Sequence, residues 1–397
     1  MTDNHQKYNF RDIGSFHIGP SITCDPKEIS KDHVDFQKPQ KIGEYSLNVF
    51  KNENRREIKF DQSNLSYLKS PSKTFNSRLN LNKNFREYNH LNWCADSANK
   101  IDDFLKWILR NKHYLRGHQN SLQLFDCDFI CYRGLLTQLI VTPFLEKDKW
   151  YIGASKFKGN IYLCQYKNFD NTGPLNLMSY GGHLFERLMT TDSLSENDDI
   201  HGDPISVQKQ YAAVIKTKIG TKPKQVRMIY AAEMDCLDFG LSDPTKLENF
   251  VEIKTTMRMQ NERQLENFER FKLIKWWAQC YLAAIPKIIC GYKDRSHFIE
   301  RIESILVEEI PNLCSKYWTK RQCLGFLQNF LLHVRECLRD ENDPTKVYLF
   351  SYDEKPCVIE CKKLYQSGNF RILPDWYLEE FTDIEAIKKN SHPNSSF

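Results

Sequence analysis

Two short acidic segments constrain the fold of this chain more than any other feature of its sequence. Residues Glu233–Asp235 and, seventeen positions further on, Glu252–Lys254 each lie within a run that is typical of a β-strand. Strand side chains alternate between faces, so the two polar residues of each segment share one face and the apolar middle residue points into a core. If the two strands are neighbours, three carboxylates and one ammonium group converge on one place.

The chemistry of this cluster predicts a divalent-metal site. Carboxylate oxygens are hard ligands for Mg²⁺ or Mn²⁺, and a neighbouring lysine suits a phosphate group. An isolated pair of this kind is more often a solvated strand face, but here apolar residues flank both segments, where unpaired carboxylates are costly. A structural salt bridge from Lys254 to Asp235 would explain one acid and leave Glu233 and Glu252 unexplained. The pattern therefore favours a metal-dependent phosphodiesterase.

Three further polar residues are candidates for the same site. Glu186 follows two glycines and is predicted to lie in the first turns of a helix, where the helix dipole alone would also favour an acid. Arg133 ends an apolar strand, and its planar guanidinium suits either a structural ion pair or a phosphate. Gln279 lies on a long predicted helix and is equally consistent with a buried amide and with a ligand.

The pattern of apolar residues predicts an α+β fold in a single domain. Residues 1 to about 90 are predicted to be irregular apart from one or two short strands, and Tyr180–Gly182 is predicted to be a turn that opens a helix. Thr191–Pro204 is predicted to be a mobile loop. The predicted strands are 43–49, 129–132, 150–154, 160–166, 211–219, 225–238, 250–255, 287–292, 347–352 and 357–362; the predicted helices are 101–115, 134–140, 183–189, 261–284 and 318–339, with mixed structure over 296–307.

Composition excludes some classes of protein and leaves others open. The net charge of +5 permits a nucleic-acid partner without requiring one, and the thirteen cysteines include no Cys-x-x-Cys pair. We expect free thiols in a reducing compartment, the nucleus or the cytoplasm. No apolar run reaches the ~18 residues of a membrane span, and the first residues lack a signal-peptide core. Phosphate-binding glycine loops and the glycine-flanked serine of hydrolases are also absent from the sequence.

The polar residues occur in an order that resembles the DXO family of decapping exoribonucleases. The chain has an arginine in a strand-to-helix turn, a Gly-x-x-apolar-Glu segment, Glu-x-Asp, Glu-apolar-Lys, a helical glutamine and a Gly-aromatic-basic-Asp segment. These six motifs are Arg133, Gly182–Glu186, Glu233–Asp235, Glu252–Lys254, Gln279 and Gly291–Asp294. The resemblance covers about residues 40 to 380, and His183 departs from it at a position where the family usually has an aromatic or aliphatic residue.

The resemblance implies a twisted mixed sheet flanked by helices, with a nuclease-like site at strand ends. It also implies the roles of the site residues. Two divalent ions, Mg²⁺ or Mn²⁺, would be held by Glu186, Glu233, Asp235 and Glu252, with the backbone carbonyl of Ile253 as a further ligand. Arg133, Lys254 and Gln279 would bind the phosphate at the scissile position. By the same resemblance, residues 41–380 form the catalytic domain, between an irregular segment (1–40) and a C-terminal tail (381–397).

The function implied by the resemblance is hydrolysis of RNA 5′ ends in RNA quality control, in the nucleus by preference. The substrates would be RNAs with a triphosphate, an unmethylated cap or an NAD cap, and 5′–3′ exoribonuclease activity would accompany decapping in some members. One alternative is an RNA-end-binding adaptor that recruits or stabilises a 5′–3′ exonuclease partner, and another is a DNA nuclease. An inactive adaptor should have lost metal carboxylates, whereas all four are present here.

Overall fold

The computed structural model describes residues 15–18, 21–29, 33–50, 55–70, 79–86, 100–117, 123–145, 149–166, 177–192, 207–353, 357–365 and 368–382. The predicted mobile loop Thr191–Pro204 lies almost entirely outside the described residues. In the described part of the chain, no helix is long and apolar enough to cross a membrane.

The described strands form two mixed sheets. In chain order they are β1 (Ser15–His17), β2 (Ile22–Thr23), β3 (Gln40–Phe50), β4 (Arg55–Lys59), β5 (Tyr67–Leu68), β6 (Phe129–Tyr132), β7 (Trp150–Phe157), β8 (Asn160–Tyr166), β9 (Thr190–Thr191), β10 (Val207–Ile219), β11 (Val226–Glu233), β12 (Cys236–Leu237), β13 (Phe250–Met257), β14 (Lys287–Lys293), β15 (Ile299–Leu306), β16 (Tyr348–Asp353) and β17 (Val358–Leu364). The larger sheet has the order β1-β17-β16-β7-β8-β6-β11-β10-β3-β4, with β2 also on β17, and the smaller has the order β15-β14-β13-β12-β5-β9.

The described α-helices pack around these sheets. They are α1 (Asp102–Arg110), α2 (Lys112–Leu115), α3 (Arg133–Val141), α4 (Leu177–Met189), α5 (Glu262–Asn267), α6 (Leu273–Leu282), α7 (Ile310–Leu313), α8 (Lys320–Cys337) and α9 (Asp375–Glu379). A π-helical turn, Phe268–Lys272, joins α5 to α6. The long helix predicted over residues 261–284 is therefore present but interrupted, and it begins where predicted because the Asn261 side chain accepts from the Gln264 amide at 3.0 Å.

Both faces of the larger sheet are covered, which is why strand β11 is apolar and buried from Met228 to Ala232. Alternate residues of β11 enter two different cores: Met228 and Tyr230 pack on the side of α3, α6 and α8, whereas Ile229 and Ala231 pack on the side of α1. All four are less than 5% exposed. The predicted α+β class, with a twisted mixed sheet flanked by helices in a single domain, is confirmed.

Several element boundaries were predicted wrongly. The described residues between 15 and 86 contain five strands rather than one or two short ones, and β3 is an eleven-residue strand that pairs with β10 along its length. Residues 299–306 form one strand rather than mixed structure. The hairpin predicted with a five-residue connection has only Lys158 and Gly159 between its strands, both at positive φ, which suits a two-residue turn.

Candidate functional site

The two acidic segments are neighbours only in part, because the first segment passes from the larger sheet into the smaller one, whereas the second lies in β13 of the smaller sheet. Strand β11 ends at Glu233, and the chain then leaves the larger sheet through Met234 and Asp235. The following strand, β12, belongs to the smaller sheet and pairs antiparallel with β13, with Cys236 opposite Val251. The acids are brought together by this crossing between sheets. A two-residue strand carries no periodic signal from which the crossing could be predicted.

Asp235 is held by the backbone of the second acidic segment. Its Oδ2 accepts a hydrogen bond from the Ile253 amide at 2.6 Å. Met234, the apolar middle residue of the first segment, is 2% exposed, as the alternation of side chains predicted. The backbone of Ile253 therefore lies beside Asp235, and its carbonyl is in the same short stretch of β13 that carries Glu252.

Glu252 is the most enclosed acid of the site, with no exposed surface. Its Oε1 accepts hydrogen bonds from the Lys254 ammonium and from the Gln279 amide. Its Oε2 lies 3.7 Å from Arg133 Nη1. The sequence suggested a salt bridge between Lys254 and Asp235, but Lys254 binds Glu252 instead. These two residues are two positions apart on one strand and therefore lie next to each other on the same face. The structure brings the three predicted phosphate ligands to one carboxylate.

Three polar atoms at this point have no hydrogen-bond partner among the described residues. They are Glu252 Oε2, Arg133 Nε and Arg133 Nη1, all buried. Buried polar groups are almost always paired in folded proteins, so such a group needs an explanation. A cation on the carboxylate oxygen and a phosphate oxygen on the guanidinium would satisfy all three. The site is therefore built to receive groups that the chain itself does not supply.

Glu186 does not lie in the first turns of its helix. Helix α4 begins at Leu177, and the pair Gly181-Gly182 lies within it rather than in a preceding turn, so the predicted turn is wrong. The dipole at the helix N-terminus falls off within the first turn and does not account for an acid in the third. His183, the residue that departs from the family pattern, is half-buried in the same helix.

Helix α4 is located by close packing against the smaller sheet. Phe185, next to Glu186, has no exposed surface and lies against Gly291 of β14. A Cβ at position 291 would be 2.6 Å from Phe185 Cζ, so only glycine permits this approach. The glycine of the Gly-aromatic-basic-Asp segment thus sets the position of the helix that carries Glu186.

The electrostatics of the acids reveal an excess of negative charge. Burial, and then the charges of Asp235, Glu233 and Glu252, raise the pKa of Glu186 well above its ordinary value, and Lys254 only partly opposes this. Burial and Glu252 raise the pKa of Asp235 to about 7. Burial acts to lower the pKa of Lys254, but Glu252 and Asp235 outweigh it and raise that pKa. One lysine therefore does not neutralise the cluster, whereas divalent cations would.

In this conformation the acids do not form a complete metal-coordination site. Among the described residues, no three His, Cys, Asp or Glu side chains are arranged to bind a metal as they stand. Glu252 is turned toward Lys254 and Gln279, while Glu233 is exposed at the end of its strand. The donor set, its excess charge and the unpaired Glu252 oxygen fit divalent cations, and their binding would require these side chains to rotate.

The site continues into a cavity of about 340 Å³ that sequence reasoning missed. Arg133 and Glu233 line it together with Tyr45 and Arg56 from the N-terminal strands and Lys100. Arg56 is bound to the buried Asp103 at 2.7 Å, which orients its side chain. No local signal marks Tyr45 and Arg56 as site residues, because they reach the site only through the pairing of β3 with β10 and of β4 with β3.

Comparison with known proteins places the chain in a family. The model of the RAI1-like PD-(D/E)XK nucleases matches residues 37–378. The chain belongs to this family. It is therefore a member of a family of hydrolytic nucleases, as the resemblance predicted.

Individual relatives agree with this assignment. The mouse protein named "Decapping and exoribonuclease protein" is 24% identical over 391 residues, which are 94% of this chain and 93% of the relative. Candida albicans Rai1, crystallised with pU5 and Mn²⁺, superposes with a TM-score of 0.75 at 20% identity, covering 92% of this chain and all of the other. Scheffersomyces stipitis Rai1, with (3′-NADP)⁺ and calcium, gives a TM-score of 0.71 at 20% identity, covering 92% and 98%. Both structures share the fold of this chain.

Proposed function

We propose that this protein is a divalent-metal-dependent hydrolase of RNA 5′ ends that removes incomplete or non-canonical caps and has 5′–3′ exoribonuclease activity. One observation carries the proposal. Arg133, Lys254 and Gln279 meet at the buried Glu252, next to Glu186 and Asp235, and polar atoms remain unsatisfied there. Cation-binding and phosphate-binding groups are thus present at one place, as phosphodiester or pyrophosphate hydrolysis requires.

Four carboxylates would hold the metal ions. Glu186, Glu233, Asp235 and Glu252 supply oxygen ligands of the kind that Mg²⁺ and Mn²⁺ prefer, and the Ile253 carbonyl adds a neutral one. We propose two ions, as the family resemblance implies. Bound ions of this kind activate an attacking water and stabilise the leaving oxygen. The Mn²⁺ and calcium complexes of the two Rai1 structures support the proposal.

The cationic and amide side chains would position the reacting phosphate. Arg133 has two buried N–H groups that no described acceptor satisfies, and a phosphate oxygen would satisfy them. Lys254 stays protonated at neutral pH and would stabilise the negative charge that develops on the phosphate during the reaction. Gln279 donates its amide to Glu252 and would orient either that carboxylate or the substrate.

Two classes of ligand in related structures support the choice of substrate. Candida albicans Rai1 binds pU5, which is an RNA with a 5′ phosphate, and Scheffersomyces stipitis Rai1 binds a nicotinamide dinucleotide. The name of the mouse relative joins decapping with exoribonuclease activity. We therefore propose that the cavity of about 340 Å³ beside Arg133 receives the terminal nucleotide or cap.

A panel of RNA substrates tests the proposal. RNAs bearing a triphosphate, an unmethylated cap, an NAD cap or a monophosphate, labelled either at the 5′ end or along the body, are incubated with protein and Mn²⁺. The proposal predicts release of the 5′ label from at least one capped or triphosphorylated RNA and shortening of the body of the monophosphorylated one. Release from DNA alone, or no release from any RNA, would contradict it.

A further inference from the structure

A second cavity, of about 440 Å³, lies where strand β13 continues past the candidate site. We call it the distal basic pocket. Its lining includes four cationic side chains and two carboxylates: Arg258, Lys272, Lys293 and Arg295, with Asp294 and Glu300. The lining is therefore positively charged, in contrast to the acidic cluster at Glu252.

Lys293 is an unusual member of this lining, because it is 1% exposed and its ammonium has no hydrogen-bond acceptor among the described residues. Burial lowers its pKa. A buried ammonium without a partner is strongly unfavourable, so a protein keeps one only for a compensating reason. Its Nζ lies against Gly181 of helix α4, where a Cβ would be 3.6 Å away.

Lys272 brings a second ammonium to the pocket without a carboxylate. Its Nζ donates to the Thr255 carbonyl at 3.1 Å and to Thr256 Oγ1 at 3.0 Å. Burial, with a smaller contribution from Lys293, lowers its pKa to about 8. Both interactions are with neutral acceptors, so its charge is solvated by dipoles but not neutralised. Two under-compensated cations therefore line one pocket.

The carboxylates of the pocket are already engaged. Glu300 lies 3.3 Å from Arg258, and Asp294 accepts the Phe298 amide at 2.9 Å. Arg295 donates to Gln260 at 3.1 Å. These contacts hold the rim of the pocket, whereas Lys272 and Lys293 have no carboxylate partner among the described residues.

The pocket and the candidate site share strand β13 and helix α4. Glu252, Lys254 and Thr256 alternate along β13 and share one strand face, with about 13 Å between the first and the last at the usual rise of a strand. Helix α4 borders both places, with Glu186 at one and Gly181 beside Lys293 at the other. An extended ligand that reaches the acids can therefore also reach the pocket.

We propose that the distal basic pocket binds a backbone phosphate of the RNA downstream of the reacting 5′ end, through Lys272 and Lys293. This proposal rests on the proposed function, because the ligand is identified as RNA only if an RNA 5′ end binds at the acids. The rest of that RNA would then extend along β13. The chemistry recognised is a phosphate anion, and a free phosphate is the other source that the experiment must separate from RNA.

The test compares binding of short and long RNAs. Wild type, Lys293→Met and Lys272→Met are measured by fluorescence anisotropy in EDTA with a 5′-monophosphorylated dinucleotide and heptanucleotide. Lys275→Met, an exposed lysine of the same helix as Gln279, is the control for the change of charge. Each pocket variant should lose about tenfold in affinity for the heptanucleotide, which is about 1.4 kcal/mol, because a charge-assisted contact to the phosphate is lost. Their dinucleotide affinity, and both affinities of the control, should stay within twofold.

Stability gives an independent readout for Lys293. Met has nearly the same shape without the buried charge, so Lys293→Met should raise the melting temperature while it weakens binding of the long RNA. Lys293→Arg, which keeps the charge, should retain length-dependent binding. A Lys293→Met variant with unchanged heptanucleotide affinity, or with equal losses for both RNAs, would overturn the proposal.

Two further comparisons distinguish failure of the RNA assignment from failure of the proposed function. If inorganic phosphate raises the melting temperature of wild type but not of Lys293→Met, while RNA binding is the same in both, the pocket serves a free anion and the RNA assignment is wrong. If the length-dependent loss occurs but wild type hydrolyses no RNA with Mn²⁺, the phosphate subsite stands and the proposed function fails.

Discussion

At the scale of single residues, Asp235 and Glu252 are two carboxylates of one cluster with opposite surroundings. Glu252 is completely buried and interacts with Lys254, Gln279 and Arg133, so its charge is compensated by the chain. Asp235 accepts one backbone hydrogen bond, and its pKa is raised by burial and by neighbouring acids. The residue types of this site could be predicted from the sequence. The hydrogen-bond and ion-pair partners of Asp235 and Glu252 could not, because they depend on how the two sheets are placed relative to each other.

This difference predicts opposite effects of two matched substitutions on the metal-free protein. Asp235→Asn removes a repelled charge and should raise the melting temperature in EDTA. Glu252→Gln leaves Arg133 and Lys254 without their counter-charge and should lower stability by about 3–5 kcal/mol. Both should reduce hydrolysis at least a hundredfold. Thermal melts in EDTA measure this directly, and changes of the same sign in the two variants would contradict the assignment of their surroundings.

Lys254 and Gln279 should behave as phosphate ligands rather than as metal ligands. Lys254→Ala should lower kcat/KM by about a hundredfold or more, which is about 3 kcal/mol of transition-state stabilisation. Gln279→Ala should cost about tenfold, because a neutral contact is weaker than a charge-assisted one. Mn²⁺ should still raise the melting temperature of both variants. If Mn²⁺ no longer stabilises Lys254→Ala, this lysine is a structural partner of Glu252 and not a phosphate ligand.

At the scale of elements, the strong periodic segments could be predicted and the short connecting ones could not. The strands around residues 129–132 and 250–255 have buried apolar runs, and both are present within a few residues of their predicted bounds. The crossing at Met234–Leu237 joins the two sheets through a strand of two residues, too short to carry a period. The glycines of α4 were misread as a turn because glycine is common in turns, whereas here it permits close packing inside a helix.

Packing of α4 predicts contrasting effects for two glycine substitutions. Gly291→Ala would push against Phe185 and Ile299, so it should destabilise the protein by about 1–3 kcal/mol and weaken Mn²⁺ binding through displacement of Glu186. At Gly182, in the interior of the same helix, an added Cβ meets nothing within 4 Å. Gly182→Ala should therefore stabilise by about 0.5–1 kcal/mol. Denaturant unfolding and Mn²⁺ titration test the pair, and equal Mn²⁺ affinity in both variants would exclude this role for Gly291.

At the scale of the whole molecule, the acids at the junction of the two sheets couple folding to pH and to metal. The ordinary pKa of an aspartate is 3.8, and that of Asp235 in the metal-free fold is about 7. Between these values the folded state retains a proton that the unfolded state has released, so metal-free stability falls as the pH rises from about 4 to 7. A divalent ion displaces that proton and stabilises only the folded state.

The increase in melting temperature that saturating Mn²⁺ produces should therefore grow as the pH is raised from below to above about 7, because Mn²⁺ no longer competes with the proton. Differential scanning fluorimetry over this range, with EDTA as the reference at each pH, measures it. The same series on Asp235→Asn should lose the part of the pH dependence that Asp235 contributes and keep the part that comes from Glu186, whose pKa is also raised. An increase that is the same at all pH values would show that Asp235 does not titrate with metal binding.

The most direct test of the account is the Mn²⁺ dependence of single-turnover cleavage of the best RNA substrate, compared between wild type and Asp235→Asn. The account predicts that wild type releases the 5′ product at a rate that rises with Mn²⁺ and saturates, and that EDTA abolishes release. Asp235→Asn, though folded and as stable as wild type or more so, should release at least a hundredfold less at any Mn²⁺ concentration. Metal-independent release by wild type, or comparable rates for the two proteins, would contradict the assignment of these carboxylates to a metal-dependent nuclease site.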